Sequence, residues 1–212
     1  MSRRKSKMSL DERAALPLAQ ANPGMEYLRL NRRQICETEI NSSIRLFLFD
    51  EDPISAHVLA SAATEIMSAL SKGQAGVGLN HVRAMLKEAN VDDKLQEELF
   101  HGLNHSYNFA KHSSADMNVE NSFPVDHIVM TIWTAVHSYK VLFGKFTPEM
   151  SVFYGIVQSW RVQWWEGEPD FAERLMIANQ FPLVGASRER FCEFGRKLLQ
   201  QAWKAEGFNA SG

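Results

Sequence analysis

Three of the chain's seven histidines fall on one side of one predicted helix, in the run Glu98-x-x-His101-x-x-x-His105-x-x-Asn108-x-x-Lys111-His112. At about 100° per residue, Leu95, Leu99, Leu103 and Ala110 share a narrow sector, while His101, His105, Asn108 and His112 cluster within about 60° on the opposite side. Glu98-x-x-His101 has the spacing used in di-iron carboxylate bundles, and His101 with His105 is an i, i+4 pair able to hold one divalent ion. Glu98, His101 and His105 are therefore the candidate metal ligands. Such bundles also need a second Glu-x-x-His, which the chain lacks. A plainer reading competes: Lys94, Glu97 and Glu98 share this face, as on a solvated helix side.

The end of the same stripe suits a different chemistry. A neutral His112 can take a proton from a ribose hydroxyl, and Lys111 beside it can hold developing phosphate charge; both are roles that RNA cleavage needs. Tyr107 and Asn108 flank this pair as binding candidates. His57 is the third candidate catalytic group. It lies one turn inside a helix opened by Asp52-Pro53, where free backbone N–H groups favour an anion. Ser55 and Ser61 are near enough in sequence to hydrogen-bond with His57 or with a ligand. His127 and His137 adjoin or lie within the most apolar helix, where a buried neutral histidine with a bonded partner is the default. Trp160, Trp164 and Trp165 can stack bases, but tryptophan equally suits a core or a dimer surface. The phosphate-loop, dinucleotide, nucleophile-elbow and zinc-protease motifs are all missing from the sequence.

These residues need helices to hold them. Residues 9–20 read as a short helix cut off by Pro17 and Pro23. Cys36, Ile40, Ile44 and Phe47 form one stripe of a helix from about Arg32 to Phe49. Asp52 caps the next, with Pro53 at its first position, running to Ser71 with Ile54, Val58, Ala62, Ile66 and Leu70 as the apolar repeat. Gly73 to Gly78 reads as a flexible connection. Helices from Leu79 to Ala89 and from Asp92 or Asp93 to Ser113 follow, then a polar stretch to Phe123. Val125 to Phe143 is apolar on most sides and belongs at the centre of a bundle. Pro148 to Trp165, Asp170 to Gln180 and Arg188 to Ala205 complete the series, the last capped by Ser187. No run alternates as a strand would. The architecture is all-α, a single-domain bundle of about seven to nine helices. Residues 1–24 form a flexible basic tail with a short helix, and 25–212 form the helical domain.

With 212 residues, 45% hydrophobic, 23% charged and a net charge of −2, the chain has ordinary globular composition and no global footprint for nucleic acid. Cys36 and Cys192 lack metal-ligand spacing and read as reduced core residues, which points to the cytoplasm. No segment reaches the roughly 18 to 20 apolar residues of a membrane span, so no membrane partner is expected.

An all-α chain with a polar-x-x-x-His run near a helix end, here Asn108 to His112, resembles the HEPN superfamily. These helical domains include metal-independent ribonucleases and inactive relatives. Asn108 and His112 match the polar residue and the histidine of its motif, while Tyr107 stands where the motif has arginine. The chain is also similar to an all-helical bacterial family of unassigned function that shares an Asp-Pro-x-Ser-x-His run (Asp52 to His57) and an Asn-Phe-x-Lys-His run (Asn108 to His112). The resemblance implies a protein that binds RNA or a nucleotide through Lys111, His112 and His57, as an altered or inactive nuclease. Two alternatives stay open: a divalent-metal bundle using Glu98, His101 and His105, and a non-enzymatic regulator that forms a homodimer through its aromatic helices. No cofactor is required by the sequence.

Overall fold

Most helices begin at a cap that the sequence supplies. The computed structural model describes residues 28, 30–88, 90–111, 120, 122–165, 181 and 183–207, with the side chains of Lys111, Gln163 and Trp165 outside that description. Two compact units divide the chain, Met1–Leu30 and Asn31–Gly212, and every described helix belongs to the second. The helices expected at 9–20 and 170–180 lie outside the described residues.

Helix α1 (Arg32–Leu48) opens on a capping box: Asn31 accepts the Gln34 N–H at 2.9 Å, and the Gln34 side chain accepts the Asn31 N–H at 2.9 Å. Asp52 accepts the N–H groups of Ile54 and Ser55 at 3.1 and 2.9 Å to start α2 (Pro53–Ser71). Then come α3 (Leu79–Glu88) and α4 (Asp93–Lys111), the latter capped by Asp92 through the N–H groups of Lys94 and Leu95. Helix α5 (Val125–Phe143) follows Pro124 and ends at Gly144, whose φ of 79° is the left-handed value glycine adopts freely. Thr147 caps α6 (Pro148–Trp160) through the Met150 N–H, and Ser187 caps α7 (Arg188–Ala205) through the Arg190 N–H. All seven are α-helical, and no strand occurs among the described residues, so the fold is an all-α bundle.

Helix α6 stops five residues short of its expected end. Arg161 leaves helical backbone geometry and its guanidinium reaches back to Asp126 at 2.7 Å while lying 3.6 Å over the Trp160 ring. A short 3-10 turn, Val162–Trp165, continues from there.

The core forms where α1, α2, α5, α6 and α7 meet. Cys36, Ile40, Ile44 and Phe47 of α1 are fully buried, as their stripe predicts. Helix α5 is the most enclosed, with Ile128, Val129, Ile132, Trp133, Ala135, Val136 and Tyr139 all buried. Phe47, Phe153 and Phe191 meet edge to face at 6.2 to 6.3 Å, and Trp160 packs on Phe191 at 4.3 Å. Phe153 and Trp160 thus fill this chain's own core. Gly195 lets α7 come close: a Cβ there would lie 2.7 Å from Leu48 Cδ2 and 2.9 Å from Ile156 Cδ1.

Two expectations need correction. The buried face of α2 is Ala56, Ala60, Ala63 and Met67 together with His57 and Thr64, whereas Ile54, Val58, Ala62, Ile66 and Leu70 sit half-buried on its flank. Small side chains let α2 pack closely on α1 and α5, and this backbone approach outweighs the size of the isoleucines. The Gly73 to Gly78 connection is exposed at its start but anchored at its Gly78 end. The Gly78 N–H donates to the Ser138 hydroxyl at 2.8 Å, and Gly78 packs against Ser68 with no room for a Cβ.

Candidate functional site

Helix α4 reaches the bundle through α2 and α5, leaving a cavity of about 290 Å³ between them, rimmed by α3. Its floor is buried: Thr64 of α2, Leu103 and Tyr107 of α4, and Thr131 and Thr134 of α5. Its rim is exposed and carries Glu65, Ser68, Asn80 and Asn104. Ser61 and Leu79 complete the lining, which among the described residues holds one carboxylate and no lysine, arginine or histidine.

The floor hydroxyls have a defined polarity. Thr64, Thr131 and Thr134 each donate to the carbonyl four residues earlier in their own helix, namely Ala60, His127 and Met130, at 2.8 Å. A hydroxyl has a single proton to give, so each of these presents only acceptor lone pairs to the cavity. Tyr107 donates its hydroxyl to Glu65 Oε2 at 3.3 Å, joining α4 to α2 across the mouth.

One turn before Ser61 on α2 stands His57, 1% exposed, and neither of its ring nitrogens has a hydrogen-bond partner among the described residues. One turn before Thr131 on α5 stands His127, half-buried, with a buried Nδ1 that is likewise unpartnered there. Burial, and then the proximity of His127, push the His57 imidazole down to about 4. Burial also lowers His127, against a smaller opposite pull from Asp126. Both rings are therefore neutral near neutral pH. The third wall is Gly102, next to Leu103 of the floor. A Cβ at Gly102 would lie 2.7 Å from His127 Cε1, so the missing side chain is what admits the ring. An unmatched buried polar atom costs about 1–3 kcal/mol, so a cluster of them on converging helices calls for a ligand or water.

The residues singled out from sequence are distributed unevenly around this site. Tyr107 is in the cavity floor. His57 is buried behind it, without the bond to Ser55 or Ser61 that the sequence suggested; the Ser55 hydroxyl is spent on the Asp52 cap. Asn108 is exposed on α4 and does not line the cavity. His112 lies outside the described residues, as does the Lys111 side chain. Glu98, His101 and His105 run along an exposed face: Glu98 pairs with Lys94 at 3.9 Å, and the two imidazoles stack at 5.9 Å. Among the described residues, no group of three His, Cys, Asp or Glu side chains is arranged to hold a metal ion. Sequence reasoning missed Thr64, Thr131, Thr134 and Gly102, and expected His127 to have a bonded partner, which its buried Nδ1 lacks among the described residues. The available signal was Thr131, Thr134 and Ser138 recurring at three- and four-residue spacing within a helix otherwise apolar.

A second aromatic group lies farther along α5. His81 of α3 stacks on His137 at 4.1 Å, and Trp133 and Tyr154 extend the stack at 5.2 to 6.4 Å. Parallel imidazoles point their lone pairs in parallel planes, so this pair serves packing between α3, α5 and α6 rather than joint coordination.

No protein family, curated protein or solved structure matches the chain.

Proposed function

We propose that this chain is a ligand-binding helical bundle whose cavity between α2, α4 and α5 takes a small polar molecule. The observation that carries this reading is the buried floor of acceptor-only hydroxyls at a cavity of about 290 Å³. Bundles commonly place ligand sites between facing helices, with a few polar groups set into mostly apolar walls. Leu79, Leu103 and the Tyr107 ring supply the apolar wall here.

A nucleotide is the second reading, favoured by the register of α4. Position 111 lies seven residues after Asn104 and four after Tyr107, on the stripe that faces the cavity. A lysine there has the charge a phosphate needs. One titration panel tests both: nucleosides, nucleoside monophosphates, a short single-stranded RNA and uncharged polar fragments, read by protein NMR. Cavity binding is expected to move the Thr131, Thr134 and Tyr107 signals and to disappear in Thr134→Leu, which fills the floor. The nucleotide reading further requires Lys111→Ala to weaken the monophosphate and spare the nucleoside. Ligands that bind wild type and Thr134→Leu alike overturn the cavity reading.

A further inference from the structure

We infer that this cavity selects a primary ammonium, a cation that brings N–H donors and no acceptor, carried on a short apolar chain or ring. The inference rests on the cavity reading above and names the head group that the cavity takes.

The lining groups whose hydrogen-bond sense is fixed carry the first step. Thr64, Thr131 and Thr134 each give their one proton to a carbonyl of their own helix at 2.8 Å. Tyr107 gives its proton to Glu65 Oε2 at 3.3 Å, so the phenol oxygen is also left as an acceptor. A carboxylate offers about four acceptor positions on its two oxygens, and this bond uses one of those on Glu65. These five groups, on α2, α4 and α5, all accept and none donates to the cavity. Ser61, Ser68, Asn80 and Asn104 carry both donors and acceptors and impose no sense of their own.

Elimination among head groups carries the second. A carboxylate or phosphate brings only acceptors, and the described lining has no lysine, arginine or histidine to answer its charge. A hydroxyl brings one donor together with an oxygen that meets further acceptors. A quaternary ammonium has a charge opposite to that of Glu65 but no proton to give. A primary ammonium has three N–H donors, and hydrogen bonds from an ionised donor are roughly twice as strong as neutral ones. Glu65 is the single charge of the described lining and is exposed at the rim, so the cation stays partly in water, which limits the cost of taking it in. Leu79, Leu103 and the Tyr107 ring cover the rest of the molecule, and a cavity of about 290 Å³ suits a small one.

The test uses four probes that share a ring and differ in the head: benzylamine, benzyltrimethylammonium, benzyl alcohol and benzoate. Each is titrated into the full chain near neutral pH while ¹H–¹³C spectra follow the threonine methyl groups of the floor. Benzylamine is expected to shift Thr64, Thr131 and Thr134 saturably and to bind at least about tenfold more tightly than each of the others. Glu65→Gln keeps an acceptor for Tyr107 and removes the charge; it is expected to weaken benzylamine about tenfold and to leave benzyl alcohol unchanged. Thr134→Val, close in shape and without the hydroxyl, is expected to weaken benzylamine several-fold. Threonine shifts of equal affinity from the quaternary ammonium, the alcohol or benzoate overturn the inference and leave the cavity reading standing. Benzylamine binding Glu65→Gln as it binds wild type does the same. Threonine signals that no probe moves overturn both.

Discussion

Replacing His57 by leucine separates the proton chemistry of this site from its packing. Near pH 7 the His57 imidazole is neutral in the folded and the unfolded chain alike. Burial and His127 lower its folded pKa from 6.5 to about 4. Between those values the unfolded chain binds the proton first, so stability falls as pH falls through this window. At about 1.4 kcal/mol per tenfold change in proton affinity, the loss reaches roughly 2.5 kcal/mol near pH 4.5 and about 3 kcal/mol near pH 4. That is a large fraction of the roughly 5–15 kcal/mol that holds a domain folded. Leucine cannot take up the proton, and removing two unmatched nitrogens costs little at neutral pH. The stability of His57→Leu relative to wild type should therefore improve by roughly 2.5 kcal/mol between about pH 7 and pH 4.5. Urea unfolding followed by tryptophan fluorescence across that range measures the difference directly. A difference that stays constant within about 0.5 kcal/mol across the range would refute the argument, because His57 would then hold its proton or a partner in the folded state.

Gly102→Ala gains helix propensity of about 1 kcal/mol but sets a Cβ against His127, so total stability should change little while the His127 ring signals move in NMR spectra; an unmoved ring would refute the close approach. Gly195→Ala meets Leu48 and Ile156 in the main core, where overpacking of about 1–3 kcal/mol outweighs that gain, and should lower the urea midpoint. Asp52→Ala removes the cap from two N–H groups at the start of α2 and should cost about 1 kcal/mol of unfolding free energy. Cys36 and Cys192 are both buried; burial, then Glu39, lifts the Cys36 thiol to about 11, and burial raises Cys192. Neither should react with a thiol reagent at mildly alkaline pH until the chain unfolds, and mass spectrometry after timed labelling reads this.

The helices were legible because their punctuation is local. Asp52-Pro53, Thr147-Pro148 and Ser187 each satisfy orphan N–H groups within three residues, and the structure starts helices at all three. The stripe of α1 was legible for a related reason: its buried residues are also its large apolar ones, so size and burial agree. On α2 the two part company. Helices that approach closely need small residues between them, and a hydrophobic repeat weighted by size picks out the flank instead of the seam.

The same separation explains why only part of the site could be read. His57 and Tyr107 drew attention because imidazoles and phenols are conspicuous residue types. Their partners were set by distance in space rather than in sequence. His127 matters because α5 runs beside α2, and Gly102 matters because α4 crosses closely enough to touch that ring. Thr64, Thr131 and Thr134 look like ordinary helix threonines until the donation of each to its own backbone is seen, which turns three unremarkable hydroxyls into a set of acceptors with one polarity. The histidine stripe on α4 is the converse case. His101 and His105 have metal-ligand spacing, yet their helix turns that face to solvent and gives its glycine and its tyrosine to the bundle. Residue type nominates a group for chemistry, but the choice of buried face decides whether the group meets anything to act on.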